Sequence, residues 1–180
     1  MTIVKLSTGQ LWIHSPCEIS PPLKSEIEEL GPTFICPGVE KKQPKLKYDA
    51  ILHESKPEEA YAADLEQVLI QGNRVINEVA FFHRQSKTLI LTDSIELIGE
   101  STPGTNWVLK FWWKCLLRMW NIPKPAPEYQ MGWNNKVLAK QSMENIVLWD
   151  FEKVIISHGE NVTEDAKNVV HSAWKSILTS

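Results

Sequence analysis

Asn77-Glu78-Val79-Ala80-Phe81-Phe82-His83-Arg84-Gln85-Ser86-Lys87-Thr88-Leu89-Ile90-Leu91-Thr92-Asp93 is the stretch whose reading decides the fold. Residues 79–83 and 88–92 are rich in β-branched, aromatic and aliphatic side chains, and the polar run 84–87 between them is loop-like, so the stretch predicts a β-hairpin with a four-residue loop. In that register His83 pairs with Thr88, and Asp93 lies across from about Glu78. His83 then sits roughly 16 Å from Asp93 at 3.3 Å per residue, too far to act with it. The second strand ends abruptly on a carboxylate, and strands buried on both faces tend to present functional groups at their carboxyl ends. Residues 154–157 repeat the pattern, running straight into His158-Gly159-Glu160. Asp and His both ligate metals and both move protons, so Asp93 and His158 make one candidate site. The alternative is that Asp93 caps a turn and His158 bonds a loop carbonyl.

Outward from the hairpin, short apolar runs at 3–6 and 11–14 flank Ser7-Thr8-Gly9-Gln10, whose glycine suits a tight turn; they predict an opening edge hairpin. Ser20, Pro21-Pro22 and the spacing of Leu23, Ile27 and Leu30 predict a capped helix, stopped by Gly31-Pro32. A short strand at 33–36, a solvated loop at 40–47, a helix or turn at 57–65 and a strand at 67–71 follow. Between 107 and 120 only Lys110, Lys114 and Arg118 are polar, one narrow stripe of a helix that should otherwise be covered by apolar partners. About 21 Å long at 1.5 Å per residue, it is too short to cross a bilayer. A partner-binding or membrane-interface surface is the minority reading. Alternate prolines make 121–127 a rigid connection. Helices are predicted at 136–149 and at 165–178, the second with Thr163 as N-cap and an apolar face that includes Ala166, Val170 and Ile177. Alternating strands and helices define the class as α/β.

At 180 residues the chain is read as a single domain, 1–180, large enough to bury a core without disulfides. Its net charge of −3 comes from interspersed acids and bases, against a dedicated nucleic-acid surface. Three cysteines without metal-type spacing, and no apolar leader at the first residues, give the expectation of a reduced, cytoplasmic protein.

Val4-Lys5-Leu6 with Leu11-Trp12-Ile13-His14-Ser15-Pro16, the segment Cys36-Pro37-Gly38-Val39-Glu40-Lys41-Lys42-Gln43-Pro44, the hairpin 77–93 and the turn Ser157-His158-Gly159-Glu160 together resemble a domain family of unknown function with the metallo-β-lactamase fold. The resemblance covers nearly the whole chain and lies in the order of the motifs. It implies an αββα sandwich with metal at one edge, Asp93 as the metal-bridging aspartate and His158 as the late histidine ligand. It puts Asn77 about where active relatives place a further histidine.

The chain departs from that pattern at 31–38. Gly31-Pro32 runs almost directly into Thr33-Phe34-Ile35-Cys36-Pro37-Gly38, so a strand, a ligand loop with the early histidines and a helix are expected to be missing. A hydrolytic zinc site needs about three protein ligands and an open position. Asp93 and His158 supply two, with Asn77, Glu78 and Glu160 as further ligands or supports, and His14 a more distant recruit. Zinc or another divalent metal is accordingly expected to be weakly held or absent. Two functions stay open: a metal-dependent hydrolase of unknown small-molecule substrate with an incomplete site, or a non-catalytic binding or assembly protein that meets a partner or a second copy through the 107–120 helix.

Overall fold

The computed structural model describes residues 1–15, 20–30, 33–35, 57 and 59–180, which fall into two units, Met1–Leu65 and Glu66–Ser180. In the first, β1 (Thr2–Lys5) and β2 (Leu11–His14) form the predicted hairpin, with Ile3 opposite Ile13. Gly9 takes φ +85° in the turn, which Leu6 closes by donating its N–H to the Gln10 carbonyl at 2.8 Å. Helix α1 (Pro21–Leu30) starts after Ser20, whose hydroxyl oxygen lies 3.5 Å from the Leu23 nitrogen. Strand β3 (Thr33–Ile35) runs parallel to β2, which makes α1 the crossover of a βαβ unit. Leu11, Ile13 and Ile27 form a small core with Ile3 and Leu23 against it, whereas Leu30, expected on the same stripe, is exposed. The segment after Pro57 is a turn, where the Tyr61 carbonyl accepts from Asp64 and Leu65. The stop at Gly31-Pro32 and the readings of 36–56 lie outside the described residues.

The second unit is built on a sheet of order β4-β5-β6-β7, comprising β4 (Leu65–Ile70), β5 (Glu78–His83), β6 (Thr88–Ile90) and β7 (Lys153–Ile155). The hairpin register is the predicted one, with His83 opposite Thr88, Phe82 opposite Leu89 and Phe81 opposite Ile90. Ala80, Phe82, Leu89 and Val154 point into one core, and Phe81 and Ile90, on the opposite face, are buried as well. The second strand stops at Ile90 instead of Thr92, because the N–H groups of Thr92, Asp93 and Ser94 turn away to the Glu78 carboxylate. Strand β7 is parallel to β6 and likewise ends earlier than its apolar run.

Four helices share that core. They are α3 (Pro127–Met131), α4 (Lys136–Val147), α5 (Ala166–Ala173) and α6 (Lys175–Leu178). Pro127 opens α3 at a position where a missing N–H costs nothing, and the Asn135 side chain caps α4 by accepting from Leu138 at 3.1 Å. The continuous helix expected over 165–178 breaks at Trp174, and Asp165, at φ +51°, precedes it in place of a Thr163 cap. Trp174 is fully buried and donates its indole N–H to the Ser94 carbonyl at 2.9 Å.

The largest departure is at 107–120. Helix α2 (Trp107–Phe111) passes into a single π turn (Trp112–Leu116), and Arg118 and Asn121 then adopt positive φ. Met119 alone in this stretch is buried, while Trp107, Val108, Phe111, Trp112 and Leu116 are exposed. The expected covered helix is therefore a short, largely exposed excursion. Its polar stripe is also uneven, since Lys110 is half-buried against Glu100 while Lys114 and Arg118 face solvent. The class is α/β, as its alternating pattern predicts.

Candidate functional site

Parallel register brings the two predicted strand ends level. Ile90 lies opposite Ile155, so Asp93 and His158, three residues beyond each, leave the sheet side by side. The His158 Nε2 atom is 3.3 Å from Asp93 Oδ1. Gly159 makes the approach possible, because at φ +112° a side chain is disfavoured and a Cβ would collide with the Leu97 carbonyl oxygen. The two segments are then stitched together: Leu97 donates to the His158 carbonyl at 3.2 Å, and Glu160 donates its N–H to the Leu97 carbonyl at 2.7 Å.

Glu78 fixes the Asp93 turn from below. Its carboxylate accepts the N–H groups of Thr92, Asp93 and Ser94 at 2.8, 3.0 and 2.7 Å and the Ser94 hydroxyl at 2.8 Å. Burial pushes its pKa up, with the Thr92 and Ser94 hydrogen bonds pulling the other way. Glu78 is thus spent on the backbone and has the role of a support.

A third donor, missed in the sequence, completes a cluster. Glu96 is 8% exposed, and its backbone pairs in both directions with Lys124. One carboxylate oxygen, Oε2, is buried without a hydrogen-bond partner among the described residues. Ligand atoms of Asp93, Glu96 and His158 all lie within 4.8 Å of one another. Burial, reinforced by Asp93 and Glu128, pushes the Glu96 carboxyl up to about 7. Nearby, the fully buried Tyr129 hydroxyl also lacks a partner among the described residues, and burial together with Glu78 and Asp93 raises its pKa. The available signal was a carboxylate set three residues after Asp93 and embedded among Ile95, Leu97 and Ile98.

The remaining predicted residues are placed as follows. Asn77 is exposed immediately before β5. The Glu160 carboxylate accepts the Ser101 N–H at 2.9 Å and lies 3.3 Å from the Thr102 hydroxyl, so it braces the 99–102 turn. His14 belongs to the first unit, where it stacks on Trp12 with burial lowering its pKa to about 4. His83 bonds Ser86 across its own hairpin loop at 2.7 Å.

Two carboxylates and an imidazole form a donor set suited to zinc, iron or manganese. The lone Glu96 oxygen is the kind of buried acceptor that a cation would satisfy.

No protein-family model matches the chain, and no curated protein matches it. Among solved structures, TMB-1, described for substrate and inhibitor binding, is 15% identical with a TM-score of 0.48, over 97% of this chain and 84% of TMB-1. The DIM-1 metallo-β-lactamase, crystallographically studied with ceftazidime, is 13% identical with a TM-score of 0.44, over 85% of this chain and 60% of DIM-1.

Proposed function

We propose that the chain is a hydrolase-like protein of the metallo-β-lactamase fold, a single domain over 1–180, with a reduced metal site formed by Asp93, Glu96 and His158. The observation that carries this reading is the convergence of the buried, unpartnered Glu96 oxygen with Asp93 and His158 at the ends of adjacent parallel strands. Three protein donors are the minimum for a hydrolytic site that keeps an open position. His158 is exposed, so one side of the cluster faces solvent and is open to a substrate. A divalent ion held there would supply Lewis acidity and draw the pKa of water toward 7.

The chain's own residues supply the positioning. Glu78 sets the angle of Asp93, the Leu97 to Gly159 bridge sets His158, and the Lys124 pairing sets Glu96. Without the early histidines the site holds a single ion, less tightly than a full hydrolase centre. Isothermal titration of the purified chain with zinc, iron and manganese tests this. One ion per chain at micromolar affinity is expected, lost in Asp93→Ala, Glu96→Ala and His158→Ala; no heat with any of the three metals would remove the site.

A second reading, a binding protein acting through 107–120, is favoured by the exposure of Trp107, Phe111, Trp112 and Leu116. The two readings are compatible, since the excursion begins and ends at the Glu96 to Lys124 bridge.

A further inference from the structure

The excursion between Glu96 and Lys124 is firmly closed at its base and apolar at its tip. Asn121 donates to the Ile98 carbonyl at 3.0 Å, and Met119 is 2% exposed beneath it. Above this base Trp107 is 81% exposed and Trp112 52%, with Val108, Phe111 and Leu116 similarly open. At 100° per residue, 107, 108, 111 and 112 occupy one side of a helix. The π turn, in which Leu117 donates to the Trp112 carbonyl, winds more slowly and keeps Leu116 on that side.

The same excursion is also basic along its sequence. Residues 101–127 contain Lys110, Lys114, Arg118 and Lys124 and no Asp or Glu, in a chain whose net charge is −3. Lys110 is held by Glu100 at 2.6 Å, Lys114 is exposed and adds to the pull that lowers the Glu100 pKa, and Arg118 is exposed with no ion pair among the described residues.

We infer that this face docks the protein on an anionic lipid bilayer, with the aromatic side chains at headgroup level and Lys114 and Arg118 against the lipid charges. The inference rests on the binding reading above and is independent of the metal site. Tryptophan and flanking basic residues are the composition that settles at a membrane interface, and the charge complements anionic headgroups. Among the described residues no helix is long and apolar enough to cross a membrane. A second copy fits less well: the five exposed side chains offer on the order of 500 Å², below the ~800 Å² per partner of a standard interface. A two-fold pairing of this face would also bring its own basic residues toward each other.

The full chain is mixed with vesicles of phosphatidylcholine alone and of phosphatidylcholine with phosphatidylserine, and followed by co-sedimentation and tryptophan emission. Binding about tenfold tighter to the anionic vesicles, with a blue shift, is expected at low ionic strength, fading as salt is added. Phe111→Ser and Trp112→Ser should each weaken binding by about tenfold, and the Lys114→Glu, Arg118→Glu pair should erase the preference for anionic lipid. These side chains are exposed, so each variant keeps the parent circular dichroism spectrum and urea midpoint. Equal partition onto both vesicles, or none, overturns the proposal. A dimer in sedimentation velocity that Trp112→Ser dissolves, without vesicle binding, assigns the face to a second copy and leaves only the binding reading standing.

Discussion

Glu96 is the residue on which the site turns, and its ionisation has a measurable consequence for folding. Its carboxyl, ordinarily near 4.5, sits at about 7 in the folded chain because burial and Asp93 disfavour the charge. The folded state therefore holds the proton more tightly than the unfolded one. Stability from this group is fully present below pH 4.5 and is lost between pH 4.5 and 7, by up to about 3 kcal/mol. Urea unfolding with a chelator should show Glu96→Gln more stable than the parent at pH 8 and equal to it below pH 4.5; equal midpoints at both would contradict a buried, unpaired carboxylate. Metal affinity should rise with pH through 7 in the parent, because the ligating form is the ionised one.

At the scale of the element, the turn after β6 is held by one carboxylate and one indole. Glu78→Ala leaves three N–H groups and a hydroxyl without their acceptor, at a cost of about 3 kcal/mol. Glu78→Gln retains an acceptor and should lose less than half of that in thermal or urea unfolding. Trp174→Phe orphans the Ser94 carbonyl and leaves a small cavity where the indole was, for about 1–3 kcal/mol. Gly159→Ala is a sharper test of geometry. The Leu97 carbonyl oxygen has to yield, so metal affinity should fall by tenfold or more, on the order expected when the support of a ligand is disturbed. An unchanged affinity would mean that His158 does not need this bridge.

For the whole molecule, the single-domain reading makes a simple demand on unfolding. Glu66–Ser180 carries an extensive core of its own, whereas the apolar cluster of Met1–Leu65 is small among the described residues. If 1–180 is one domain, tryptophan emission, reporting Trp12 in the first unit and Trp174 in the second, and far-ultraviolet circular dichroism should share one transition. Two resolved transitions would divide the chain near Leu65.

Local pattern determined much of this protein. The 77–93 hairpin, its four-residue loop and its pairing could be read directly, since strand alternation and a polar turn fix register without reference to the rest of the chain. The capped first helix and the opening hairpin were legible for the same reason. Asp93 and His158 were found because each follows an apolar strand, but their adjacency needed the parallel pairing of β6 with β7, sixty-odd residues apart in sequence. Glu96 could not be seen from its neighbours, because its burial and position depend on the Lys124 and Gly159 pairings, which are non-local. At 107–120 composition called for a covered helix, yet apolar periodicity carries no information about whether a partner exists. Only the tertiary structure decided that Met119 anchors the excursion and that the tryptophans beyond it are exposed: covering them requires another surface, and a sequence does not specify where its own chain returns.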